Sequence, residues 1–217
     1  MRLYNARTGQ VEDLPRALRI HISSGTNRTL VVTDLLRRVA QRTGHRPVTV
    51  TRSAALPVTD LDPPDVNVPD FEIADPPADA IQISSSPGAH LVVDEGPHEW
   101  INDVLNDPLA ARLAWLRLHH RAKDTIEAPD VFRAEGELGT WRALVAEWAT
   151  TSGRPINRAY VSEAEAALSD DLDSPTALAV LDRLIADPDL EPGAKLETVI
   201  HLDLLLALDL VRDIGRA

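Results

Sequence analysis

The chain has 217 residues, no cysteine, 44% apolar residues, and 34 acids against 22 Lys and Arg, giving a net charge of −12. Such a chain can bury one or two ordinary cores. It excludes disulfides and thiolate metal sites, and its charge disfavours tight RNA or DNA binding, which needs cations against phosphates.

The opening MRLYNARTGQ has no apolar h-region, and no run of about 18 apolar residues follows, so neither a secretory signal nor a membrane span is expected. The expected location is therefore cytoplasmic. Residues 2–5 and 18–24 read as short strands on either side of a polar, hairpin-like stretch. Residues 29–43 read as a helix: Leu30, Leu35, Leu36, Val39 and Ala40 share a stripe, Arg37, Arg38, Gln41 and Arg42 lie opposite, and Gly44 supplies the stop. Residues 48–51 are a second strand, so the spacing predicts a βαβ unit with a parallel pair and a right-handed crossover. Residues 54–79, rich in Pro and Asp, predict a surface loop or linker. Strands are expected again at 80–83 and 90–94, with a Ser/Pro/Gly turn between them.

From about Trp100 the pattern turns helical. Leu109, Leu113, Leu116 and Leu118 follow Pro108, a favoured first helical residue. Trp141, Leu144, Val145 and Trp148 mark another helix. Ser162 precedes a third that carries Ala164, Ala167 and Leu168, and Ser174-Pro175 opens a fourth, with Ser174 as its cap. Residues 196–211 are apolar nearly all round, broken by Asp203 and Asp209, which predicts the central rod of a bundle, the other reading being a homodimer seam. The expected fold is thus α/β plus all-α: a reduced Rossmann-like parallel sheet over 1–99, then a helical bundle over 100–217.

The stretch HISSGTNRTL, residues 21–30, joins a strand to a helix through a short polar turn. Two readings stand. The backbone N–H groups of Ser23, Ser24, Gly25, Thr26 and Asn27, with the Arg28 cation, could cradle an anion or nucleotide at the helix start. Alternatively, a shortened turn simply caps the helix. Asp60, Asp62 and Asp65 beside Pro63-Pro64 read as a solvated turn rather than a metal site, and His21, His90 and His98 share no ligand spacing, so no metal is expected. His119, His120 and Arg121, with Arg117 and Lys123, read as a helix end, or as a remnant of an RNA-facing surface.

Several phrases, in order, resemble the cysteinyl-tRNA synthetases and the related cysteine ligases of mycothiol synthesis. Leu3-Tyr4-Asn5-Ala6-Arg7-Thr8 is similar to their opening strand. Arg28-Thr29-Leu30-Val31-Val32-Thr33-Asp34 is similar to the helix after their His-Ile-Gly-His motif, and Thr59-Asp60-Leu61-Asp62 to a Thr-Asp-Ile-Asp after the next strand. Ile101-Asn102-Asp103-Val104-Leu105, with His119-His120-Arg121 further on, resembles the stretch after their Lys-Met-Ser-Lys-Ser loop. Asp170-Asp171-Leu172-Asp173-Ser174-Pro175 resembles an Asp-Asp-Phe-Asn-Thr-Pro start of a bundle helix, the most specific of these matches.

The resemblance implies an ATP-dependent synthetase ancestry, and the departures bear on activity. Ser23 stands where the family has a zinc-binding Cys, and Ser24-Gly25-Thr26-Asn27 replaces the segment with its two histidines. Asp94 leads into Glu95, Gly96, Pro97, His98 and Glu99 where two lysines are expected. Adenylate formation needs fixed cations against phosphate charge. The chain therefore reads as a truncated, catalytically degenerate paralogue without catalytic residues or zinc, without the family's C-terminal anticodon-binding part, and with a binding or regulatory role. No cofactor is expected; ATP or AMP is the nucleotide the turn would suit. The partner is a small molecule or a protein, and tRNA binding is not expected. The alternative is an unusual ATP-dependent ligase or nucleotidyl-transfer enzyme.

Overall fold

The structure, a computed structural model, describes residues 1–54, 56, 61–94 and 106–216. Strands β1 (Arg2–Asn5) and β2 (Gln10–Asp13) form an antiparallel hairpin that turns through Gly9 at φ +72°. Five further strands form one parallel sheet: β3 (Leu18–Ile22), β4 (Val48–Arg52), β5 (Glu72–Ile73), β6 (Ile81–Ser84) and β7 (Leu91–Val92). Their spatial order is β5-β4-β3-β6-β7. The chain therefore proceeds outward from β3 to one side, then returns to build the other. Such a reversal places the carboxyl ends of β3 and β6 at a topological switch point, where open α/β sheets bind ligands.

The expected βαβ unit is present, with α1 (Asn27–Arg42) joining the parallel pair β3 and β4. Leu18, Ile20 and Ile22 are buried on one face of β3; on the other, His21 is buried and Arg19 is exposed. Only six residues separate β6 from β7, yet the two are parallel rather than a hairpin; the intervening turn reverses the chain, and His90 N–H donates to the Gln82 carbonyl at 2.9 Å.

The Pro/Asp segment departs from the surface linker expected. Its Val66, Val68 and Phe71 are buried, Pro63–Val66 form a 3₁₀ turn, and β5 completes one sheet edge. Three apolar side chains among the prolines suffice to draw the backbone onto the core, and the turn's end is fixed by Asn67, whose amide donates to the Ala207 carbonyl at 2.9 Å.

Helices α2 (Leu109–Leu116), α3 (Ala128–Trp148), α4 (Arg158–Ser169), α5 (Ser174–Ala186) and α6 (Pro192–Leu206) follow. The caps differ from those expected. Ser162 lies inside α4, which is capped by Asn157, whose Oδ1 accepts from the N–H groups of Ala159 and Tyr160. Asp173, not Ser174, caps α5, accepting from Thr176 N–H at 3.1 Å. Leu118 lies beyond the end of α2. The last helix stops at Leu206, short of residue 211, because Ala207 turns left-handed and the Asp203 carboxylate accepts from the N–H groups of Leu208 and Leu210. Asp203 thus interrupts the apolar run as an anchor for the chain's final turn. The buried apolar side chains of sheet and helices form one contiguous cluster. Among the described residues, no helix is long and apolar enough to cross a membrane.

A polar knot sits inside this core. Asp34 of α1 is fully buried and meets the equally buried Arg112 of α2 at 2.9 Å, with Arg37 and Arg38 on the same carboxylate at 2.6 and 2.7 Å. Arg112 also donates to the carbonyls of Val66 and Leu206. Burial pushes the Asp34 carboxyl upward, but Arg112, Arg38 and Arg37 outweigh it and hold the group below the usual carboxylate value.

Candidate functional site

At the switch point the strand ends are stitched together. Ser23 N–H donates to the Ile83 carbonyl at 2.9 Å, and Ser85 N–H donates to the Ser24 carbonyl at 3.3 Å. Ser24 Oγ lies 2.6 Å from Ser84 Oγ and 3.4 Å from Ser85 Oγ. Pairing thus continues past the last residues of β3 and β6. Gly25 adopts φ +141°, and a Cβ there would collide with the Thr29 side chain. This is the close approach that only glycine permits. Thr26 is the N-cap residue of α1 in extended conformation, and its side chain makes no capping bond. The Asn27 amide clasps the backbone of Leu61, donating to its carbonyl at 2.8 Å and accepting its N–H at 3.2 Å.

Arg28 faces inward. It is 1% exposed, and its guanidinium donates to the carbonyls of Asp94 (2.5 Å), His119 (3.2 Å) and Ala122 (3.4 Å). The structure therefore gathers Ser23, Ser24, Gly25, Thr26 and Asn27 at the start of α1 and turns the cation singled out with them toward protein carbonyls. Asp94 contributes its carbonyl to that contact; Glu95, Gly96 and His98 lie outside the described residues, as do Thr59, Asp60 and residues 100–105. Residues 55, 57–60, 95–105 and 217 contain no Lys or Arg, so every such cation of the chain is among the described residues.

A cavity of about 560 Å³ opens beside the first turn of α1. Leu30, Leu56 and Phe71 give it apolar walls, Arg52 from the end of β4 lines it, and Asp62, Asp65 and Asp70 face the same space. Arg52 stands 3.6 Å from Asp70. Among the described lining residues, one guanidinium therefore meets three carboxylates, so the cavity carries net negative charge.

Of the three histidines His21, His90 and His98, the last lies outside the described residues, and the other two have different partners. His21 is fully buried and shares hydrogen bonds with Thr51 Oγ1 (3.0 Å) and Ser53 Oγ (3.1 Å), whereas His90 bonds to Gln82 and Arg7. Burial pushes the His21 imidazole below its ordinary value, with the Asp75 charge opposing. Its unfolded value is about 6.5, so the native state favours the neutral ring. Stability from this group is fully present above that value and declines as pH falls below it. Urea unfolding curves measured from about pH 7 to about pH 5 should show falling stability, and His21→Asn should flatten that slope.

His119, His120 and Arg121 gather instead on Asp171, in the turn between α4 and α5. Among the described residues this is where three candidate metal-ligating side chains come together. Burial first, then His119, Arg121 and Arg28, hold His120 well below the ordinary imidazole value. Sequence reasoning missed Ser84, Ser85, Arg52 and Asp171 as site residues. The serine run at a strand end was a usable signal; Asp171 was not, because only the tertiary fold brings it to the histidines.

No family model matches the chain. It is similar to three bacterial proteins named L-cysteine:1D-myo-inositol 2-amino-2-deoxy-alpha-D-glucopyranoside ligase. Identity is 35% over 108 residues with that of Streptosporangium roseum, covering 48% of this chain and 26% of the ligase. It is 44% over 77 residues with that of Beutenbergia cavernae (35% and 17%), and 38% over 102 residues with that of Thermobispora bispora (46% and 23%). The matched stretches thus span about a quarter or less of those relatives' length.

Proposed function

We propose that this chain, which is related to these cysteine ligases over about half its own length, is a catalytically silent member of their family. In this reading it binds a small, amino-bearing molecule in the cavity beside α1 and acts as a binding or regulatory protein. The charge at the crevice carries the reading. Arg28 lies buried against carbonyls, and Arg52 is outnumbered by Asp62, Asp65 and Asp70. Adenylate formation requires preorganised cations around the phosphates. Three carboxylates around one guanidinium repel a triphosphate and attract an ammonium group. The apolar walls of Leu30, Leu56 and Phe71 can enclose the rest of a compact ligand. The relatives' names specify two amines, L-cysteine and a 2-amino-2-deoxyglucoside, and this reading takes from them only the amine.

Two measurements test it. Purified protein given ATP, L-cysteine and glucosamine should release no AMP or pyrophosphate above a protein-free control; robust ATP-dependent turnover would overturn the silent assignment. A thermal-shift panel of ATP, AMP, L-cysteine and glucosamine should show stabilisation by an amine and none by ATP. At about 100 times Kd a native-state ligand adds roughly 2.7 kcal/mol. The gain should disappear in Asp65→Asn, and an amine effect unchanged in that variant would remove the cavity from the account. One observation favours a second reading, a nucleotidyl-transfer enzyme: the Ser24, Ser84 and Ser85 hydroxyls meet at the switch point beside the start of α1. That reading requires AMP release from ATP that is lost in Ser24→Ala.

A further inference from the structure

The turn after α2 meets the α4–α5 turn and strand β1 at a small buried cluster. Asp171 is held there on all sides: its N–H donates to the Arg2 carbonyl at 3.0 Å, its Oδ1 accepts from Tyr4 N–H at 2.7 Å, and its backbone is left-handed at φ +59°. His120 is 2% exposed, and neither of its ring nitrogens has a hydrogen-bond partner among the described residues. A buried imidazole left in that condition is costly unless something else meets it. His120 Nε2 lies 3.5 Å from Asp171 Oδ1, and His119 Nε2 lies 3.7 Å from Asp171 Oδ2. These separations are long for hydrogen bonds. They approach the spacing of donor atoms sharing one ion: ligands about 2.0–2.1 Å from a tetrahedral centre lie about 3.4 Å apart.

We propose that His119, His120 and Asp171 form a binding site for one divalent transition-metal ion, Zn²⁺ by the chemistry of its donors. Two imidazoles and a carboxylate suit a borderline ion and suit Mg²⁺ or Ca²⁺ poorly. The candidate donor atoms all lie within 4.8 Å of one another. The His119 side chain is 28% exposed, which gives the ion a path in and leaves room for water as a further ligand. Bound there, the ion would pin the turn after α2 to the α4–α5 turn, which already holds β1. Two cations oppose it: the buried Arg28, whose guanidinium donates to the His119 carbonyl at 3.2 Å, and Arg121, which sits 3.0 Å from Asp171 Oδ2 and over the Tyr4 ring at 4.4 Å. The Arg121 side chain is 46% exposed, so it can swing aside, but its charge weakens the site.

The test uses full-length, tag-free protein stripped with chelator and titrated with Co²⁺ and Zn²⁺. Expected results are one Co²⁺ per chain, with the intense visible absorption of a four- or five-coordinate centre, and a raised melting temperature with Zn²⁺. His119→Ala removes a partly exposed ligand and should fold; its affinity should fall at least about tenfold. Arg121→Gln should bind several-fold more tightly. Circular dichroism of both variants checks that they fold. The weak spectrum of hydrated Co²⁺ in the wild-type protein, or equal affinity in wild type and His119→Ala, would overturn the site. Neither outcome bears on the amine cavity, which these residues do not line.

Discussion

Asp34→Ala should destabilise the protein by about 3–5 kcal/mol, because it strands Arg112 as a buried charge without its carboxylate. Both side chains are fully buried, and Arg112 is fixed in place by the carbonyls of Val66 and Leu206. Arg37 and Arg38 are partly exposed and can find water when Asp34 is lost. Arg112 cannot. A loss of this size is a large share of the roughly 5–15 kcal/mol that holds a typical domain, and it should lower the melting temperature by about 10 °C.

The double variant Asp34→Leu, Arg112→Met removes both charges together and should recover much of the loss, since apolar replacement of a buried pair is often close to neutral. Urea unfolding of the three proteins decides the matter. A single variant as stable as wild type would mean that the pair does not organise the core. The pH dependence follows in sign. The Asp34 carboxyl titrates below its unfolded value, so its contribution is complete above about pH 4 and is lost as pH falls through the native value. Asp34→Ala should therefore show a shallower acid limb.

Arg28→Met should cost about 3 kcal/mol, although its position in the sequence suggests an exposed anion clamp. Its guanidinium bridges three carbonyls from two separate places, Asp94 after β7 and His119 with Ala122 in the turn after α2, and hydrogen bonds to a charged group contribute roughly 1.5–3 kcal/mol each before overlap is counted. Methionine keeps the volume and withdraws the donors. Arg28→Lys should rescue little, because one ammonium cannot reproduce a planar fork of donors. The discriminating comparison is stability against ligand binding. A clamp would lose affinity for anions and keep its melting temperature; a structural strut does the reverse. Loss of nucleotide binding at unchanged stability would restore the clamp reading.

The sheet and α1 were legible because hydrophobic periodicity reports which face of an element meets a core. Leu30, Leu35, Leu36, Val39 and Ala40 are buried as their spacing requires. The same signal was silent about Arg28, Asp34 and Arg112, since periodicity treats a charge as solvent-facing and cannot see a partner distant in sequence. Val66, Val68 and Phe71 were hidden among prolines and aspartates, where no repeat marks a core position. Helix caps were misplaced by a few residues for a related reason: Asn157, Asp173, Ser162 and Ser174 all have side chains able to cap, and only the backbone geometry selects among them.

By itself the sequence determined the order of the helices and of most strands, the parallel βαβ core, the family likeness and the scarcity of cations along the segments where that family needs them. These are local properties, written in spacing, composition and short phrases. Only the tertiary structure decided where the charges point. It turned Arg28 inward, left Arg52 among three aspartates, and brought His119 and His120 to Asp171, some fifty residues further along the chain. Electrostatic environment depends on distance through space and on burial. Neither quantity is encoded in separation along the chain.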